Sequence, residues 1–192
     1  MQNSAPMQQF VQQLLADTLP TIFYYHNYNH AVEVQRHAAE IGAAMHCTDN
    51  ELYLLDMAAL WHDTGFIINH IGHEELSCQL AQQYLPQFGI SENDIAIVCS
   101  IIMATKMPTS PSNLLQQIIA DADVAYLGSP LAATRSEDLF KELQAIDKSL
   151  SKPEWDKTQV DFLSTHQFYT SYCRYYKEPV KQAYLATLLV KQ

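Results

Sequence analysis

Residues 51–63, ELYLLDMAALWHD, decide how this chain is read. Leu52, Leu55 and Ala59 recur at steps of three and four, the spacing of one helical face, and the same steps lead on to His62 and, from Ala59, to Asp63. An imidazole and a carboxylate thus emerge where an apolar stripe ends. Burying either group is costly unless something compensates, so their placement points to a ligand or a partner. Upstream, Thr48 and Glu51 form a capping-box pattern that starts this helix, which is expected to run to about Trp61.

Helical periodicity extends outward in both directions. Val34, Ala38, Ile41 and Met45 mark one face of a helix at about 29–45, and His30 lies one step before that stripe. Further helices are expected at about 5–17, from about His73 to before Pro86, at about Glu92–Thr105 behind a Ser91 cap, and at about Asn113–Leu127. The segment KMPTSPS at 106–112 reads as a loop. Beyond Gly128-Ser129-Pro130 come helices at about 131–148, 154–176 and 179–190, separated by Pro153 and Pro179. With 5 Gly, 8 Pro and no alternating β-branched run, the expected fold is all-α, one domain over 1–192.

Composition narrows the function. Lys and Arg number 11 against 21 Asp and Glu, a net charge of −10, which disfavours a nucleic-acid polymer or an anionic membrane as partner. No apolar run reaches the roughly 18 residues of a membrane-spanning helix, and MQNSAPMQQF lacks a secretory layout, so a soluble, cytoplasmic protein is expected. Cys47, Cys78, Cys99 and Cys173 have no zinc-type spacing and read as reduced packing residues.

The helix at 113–127 carries Asp121-Ala122-Asp123. Leu114 and Ile118 lead at helical steps to Asp121, Leu115 and Ile119 lead to Asp123, and periodicity does not choose between them. Two imidazoles and two carboxylates from three helices suit one divalent cation with open positions.

The order and context of these residues resemble the HD-domain superfamily of metal-dependent phosphohydrolases over roughly residues 20–130: YHNYNHAVEV around His30, ALWHDTGF around His62-Asp63, HEELS at 73–77 and DADVAYLG at 121–128. The resemblance implies a compact multi-helix HD-like bundle, with 131–192 as a helical extension. It implies His30, His62, Asp63 and an Asp of the DAD segment as ligands of one divalent metal, which Mn, Fe, Co, Ni or Zn would all satisfy. Asp123 is the favoured last ligand, because relatives place it after a small residue and before an apolar or basic one. Asp121 is the alternative, with an orienting role for whichever does not bind.

Function follows from the same resemblance: hydrolysis of a small phosphorylated molecule, with a nucleotide as the expected example, through water activated by the cation. Asp63 is expected to help take the water's proton. His73 is expected to contact the leaving phosphate or act as general acid, and Lys106 to offer phosphate a positive charge. Thr105-Lys106 stands where two-metal relatives place a histidine, which favours one metal over a di-iron oxygenase; a non-catalytic nucleotide- or partner-binding module is the third reading. His26 and His37 are weaker candidates, His46 and His166 read as surface or packing residues, and one of Tyr24, Tyr25 and Tyr28, together with Tyr126 and Arg135, as pocket candidates. Phe168, Tyr169, Tyr172, Tyr175 and Tyr176 read as the inward or lid-facing stripe of a long helix.

Overall fold

In the computed structural model, which describes residues 5–190, ten α-helices form one bundle and no strand occurs among the described residues. Residues 1–4 and 191–192 of the expected domain lie outside them. None of the described helices is long and apolar enough to cross a membrane.

The core is built on α2 (Tyr28–Ala44) and α3 (Asp49–Trp61), which lie along each other. The α3 capping box forms as expected, and from Leu54 to Trp61 every residue but Asp56 is buried, because α5 (Glu92–Ile102), α6 (Leu114–Asp123) and α4 (His73–Tyr84) enclose the helix. α1 (Ala5–Thr18) adds Met7, Val11 and Leu15, spaced by four, to the same core. The Asn27 side chain caps α2 by accepting from the backbone N–H groups of Asn29 (3.0 Å) and His30 (3.4 Å), which fixes His30 in the first turn.

A 3₁₀ turn, Thr64–Ile67, carries the chain away from His62-Asp63. A Cβ at Gly65 would lie 2.0 Å from the His73 carbonyl oxygen and 2.8 Å from the Ser77 nitrogen, both backbone atoms. The absent side chain therefore lets the start of α4 dock against the turn, and the Gly65 N–H donates to Ser77 Oγ at 2.8 Å. His73 is set beside Asp63 by this contact.

The last third departs from expectation. The helix expected at 154–176 is two helices, α8 (Lys152–Thr165) and α9 (Ser171–Tyr176). Asp121, fully buried on α6, accepts from the backbone N–H groups of Tyr169 and Thr170 (2.8 Å each) and from the Thr170 hydroxyl (2.7 Å). Those amides are thereby drawn out of the helical ladder. The fully buried Lys181 donates to the His166 carbonyl, and the Arg174 guanidinium to that of Phe168 (2.7 Å), so the break's carbonyls are met too. With α9 only six residues long, the aromatic stripe divides: Phe168 is buried, whereas Tyr175 is 74% and Tyr176 58% exposed.

Two other helices end early. α5 tightens into a 3₁₀ turn at Met103–Thr105, and α6 stops at Asp123, where Val124 adopts φ −105° and ψ 13° before a 3₁₀ turn over Ala125–Gly128. α7 (Ala132–Ile146) and α10 (Glu178–Leu189) complete the C-terminal part, α10 packing on α8, α9 and the 125–128 turn.

Replacing Gly65 by alanine forces backbone against backbone. Overpacking of this kind costs roughly 1–3 kcal/mol, which for a chain of this size lowers the thermal midpoint by roughly 2–12 °C. Thermal unfolding followed by circular dichroism checks this; an unchanged midpoint would refute the close-approach role.

Candidate metal centre and its cleft

His30 from the first turn of α2, His62 at the end of α3 and Asp123 at the end of α6 place one donor atom each within 4.8 Å of one another. His30 Nε2 is 3.0 Å and His62 Nε2 3.5 Å from Asp123 Oδ1. Asp63 Oδ2 lies 3.1 Å from His62 Nε2 and 3.5 Å from His30 Nε2. Both imidazoles are buried.

The fit to a cation rests on two buried atoms. His62 Nδ1 donates to the Ala59 carbonyl at 2.8 Å, so in the neutral ring Nε2 carries a lone pair directed at the cluster. That Nε2 and Asp63 Oδ2 are close but misaligned, and neither has a hydrogen-bond partner among the described residues. Two buried lone-pair-bearing atoms this close are stabilised by a shared positive species, either a proton or a metal ion. Without a metal the cluster holds the proton: burial pulls the His62 pKa down, but Asp63 and Asp123 outweigh it and keep it well above its ordinary value. Burial likewise opposes ionisation of Asp63 and Asp123, yet the neighbouring imidazoles hold both well below the usual carboxylate range. Two imidazoles and two ionised carboxylates are a mixed donor set that suits a divalent transition metal.

Asp121 is absent from this group. Its carboxylate, with both oxygens engaged by the 169–170 segment, is a structural tether, two residues from the cluster.

A cleft opens over the cluster, lined by His26, Asp63, His70, His73, Thr105 and Lys106, among others. His73 Nδ1 donates to the His70 carbonyl (3.1 Å), and its Nε2 faces Asp63 Oδ1 at 3.5 Å. Lys106 stands half-exposed at the rim, its ammonium paired with Glu75. Thr105, where a second-metal histidine was considered, is buried and donates to the Ile102 carbonyl at 2.9 Å. Of the pocket candidates, Tyr25 and Tyr126 line a cavity next to the cleft, whereas Arg135 pairs with Glu33.

His26 is more central than its sequence context suggested. Its Nδ1 is paired with Glu142, a fully buried carboxylate on α7 that also accepts from the backbone N–H groups of Tyr25 (2.9 Å) and His26 (3.0 Å). The ring stacks on Phe66 at 4.2 Å. Burial lowers the His26 pKa, but the Glu142 bond and the Asp63 charge raise it further, for a net rise above the ordinary value. A separation of 116 residues from Glu142 left no local signal for this pair. His37 and His166 are packing residues whose pKa values fall to about 4, chiefly through burial.

A family model described as the HD domain matches residues 27–125, just over half of the chain. The chain belongs to the HD-domain family. No curated protein matches it in sequence. Among solved structures, this HD-domain chain is similar to the crystal structure of a predicted HD superfamily hydrolase from an uncultured Thermotogales bacterium, with 19% identity, a TM-score of 0.63, and coverage of 95% of this chain and 89% of that one. At that identity the likeness is one of fold. The HD match ends at residue 125, so it contains His30, His62, Asp63 and Asp123 but neither Glu142 nor the C-terminal helices.

Metal affinity should rise with pH. A cation must displace the His62 proton, which is held above the ordinary 6.5, so affinity gains about tenfold per pH unit below that raised pKa, while the carboxylates, already ionised, add nothing near neutrality. Calorimetric titration with Mn²⁺ or Zn²⁺ at a series of pH values from the ordinary imidazole value upward measures the slope; a flat profile contradicts the bound proton. In the same assay Asp123→Ala should abolish binding with helicity intact. Asp121→Ala should instead destabilise the fold by about 3 kcal/mol or more, from unmet buried donors.

Proposed function

We propose that this protein is a metal-dependent phosphohydrolase that cleaves a phosphate ester of a small molecule, with one divalent cation held by His30, His62, Asp63 and Asp123. The observation that carries the reading is the convergence of one donor atom each from His30, His62 and Asp123 within 4.8 Å of one another, with Asp63 Oδ2 3.1 Å from His62 Nε2, beneath an open cleft. Membership of the HD-domain family and the fold likeness to a predicted HD superfamily hydrolase support it. The bound cation would supply Lewis-acid polarisation of the phosphoryl group and a lowered pKa for water.

The chain's own residues divide the proton traffic. As the water oxygen bonds to phosphorus, its proton passes to Asp63 Oδ1, which lies beside His73 Nε2. As the bond from phosphorus to the alcohol oxygen breaks, His26 gives that oxygen a proton, so the products are the alcohol and phosphate. We assign the acid to His26 rather than His73 because the buried Glu142 anchors its Nδ1, leaving Nε2 free, and because its pKa is raised. His73 keeps the Asp63 side of the cleft. Lys106, with His70, offers positive charge or donors to the phosphate from the rim. A nucleotide is one ester of this class.

With Mn, Fe, Co, Ni or Zn supplied in turn, the protein should release phosphate from a panel of phosphate esters; inactivity of the fully metal-loaded protein on every one refutes the reading. His26→Ala should lower kcat by roughly 10²–10⁴ for alkyl esters and far less for 4-nitrophenyl phosphate, whose leaving group needs no proton. In Glu142→Gln the His26 pKa falls, so activity should be lost at lower pH as pH rises; an unmoved limb excludes His26 as the acid.

A further inference from the structure

Beside the cleft lies a second space, a chamber of about 290 Å³. Its walls are Trp155, Phe162 and Leu163 of α8, Leu139 of α7, and Tyr126 and Leu127 of the 125–128 turn. All six lie beyond the segment that matches the HD domain. The chamber and the cleft share three lining residues, His26, Met107 and Asp123. An ester with its phosphate over the cluster therefore extends its organic group past His26 into the chamber.

The chemistry of the lining selects that group. Among the described residues, apart from His26 and Asp123 at the shared edge, no titrating acid or base other than the tyrosines lines the chamber, and no Lys or Arg does, so its lining offers no cation to a second phosphate. Its polar residues are largely occupied with one another. Gln159 Oε1 accepts from the hydroxyls of Ser136 and Tyr184 (3.1 Å for the latter), and Gln159 Nε2 donates to Asp156 at 3.3 Å. The Thr158 hydroxyl is bonded to the Glu154 carbonyl at 2.9 Å. A ligand with many polar edges would leave them unmet. The indole N–H of Trp155, 6% exposed, has no acceptor among the described residues, which leaves one donor on a wall residue. An apolar cavity of about 150 Å³ holds a benzene ring, so a space of about 290 Å³ holds up to two fused rings.

Resting on the phosphohydrolase reading above for the position of the phosphate, we infer that the chamber binds the alcohol portion of the substrate and that this portion is apolar and aromatic-sized, from one ring to two fused rings. The hydrolysed bond then lies at His26, where cleft and chamber meet, and the C-terminal helices set the specificity.

The test uses the full chain loaded with Mn²⁺ and four esters: 1-naphthyl phosphate, phenyl phosphate, glycerol 1-phosphate and adenosine 5′-monophosphate. The kcat/KM for 1-naphthyl phosphate should exceed that for glycerol 1-phosphate by at least roughly tenfold, the scale at which apolar pockets discriminate. Leu139→Trp, which fills the chamber from a half-buried position, should reduce that ratio by roughly the same factor. Thr158→Trp, at an exposed wall position, should do likewise and replaces it if Leu139→Trp fails to fold. Calorimetric binding of 1-naphthol to the metal-free protein, lost in the filled variant, reads the chamber without turnover. If no ester is cleaved but 1-naphthol binds and the filled variant loses it, the chamber assignment stands and the phosphohydrolase reading falls. Absence of 1-naphthol binding, binding undiminished in the filled variant, or a tenfold preference for adenosine 5′-monophosphate or glycerol 1-phosphate overturns the inference.

Discussion

Two imidazoles and two carboxylates crowd together at the largely buried floor of a cleft, and the rest of the molecule is arranged around that constraint. Acceptors brought this close in a medium of low polarisability repel unless positive charge lies between them. The chain accepts the cost by holding each donor on a helix end embedded in the core: Asn27 caps α2 at His30, the buried half of α3 delivers His62, and α6 stops at Asp123. The Ala59 carbonyl turns the His62 ring, so its free nitrogen faces the acids and not the solvent. On the proposed reading, a metal ion takes the place of the proton that the cluster otherwise holds.

Local periodicity made the core legible. The α3 capping box, the stripe from Leu52 to Ala59 and the caps at Ser91 and Thr48 are short-range features, and each forms as the residue spacing predicts. The HD-domain resemblance was readable from four short motifs, and the three residues that now stand within reach of a single ion, His30, His62 and Asp123, were among those it implied. What escaped a one-dimensional reading depended on partners far along the chain. The break at 166–170 exists because Asp121, 48 residues before Tyr169, takes its backbone donor. His26 gained its position from Glu142, whose own surroundings in α7 look like any charged helical residue. Both misses involve a buried carboxylate that captures backbone N–H groups, a contact that leaves no periodic trace.

On the proposed reading, chemistry and selection fall to different parts of the chain. Residues matched by the HD-domain model carry the candidate metal donors, while α7, α8 and α10 supply Glu142 and part of the apolar wall beside the cleft.

Asp121 and Asp123 are separated by a single alanine, yet one secures the C-terminal helices and the other faces the ion cluster. This adjacency limits how the protein can be recombined. A chimaera that joined a foreign tail to this core would inherit a sealed negative charge at Asp121, and unless the new tail presented a pair of amide donors at the same spot, the last turn of α6 would shift and carry Asp123 with it. The two halves are thus interchangeable only as a matched set.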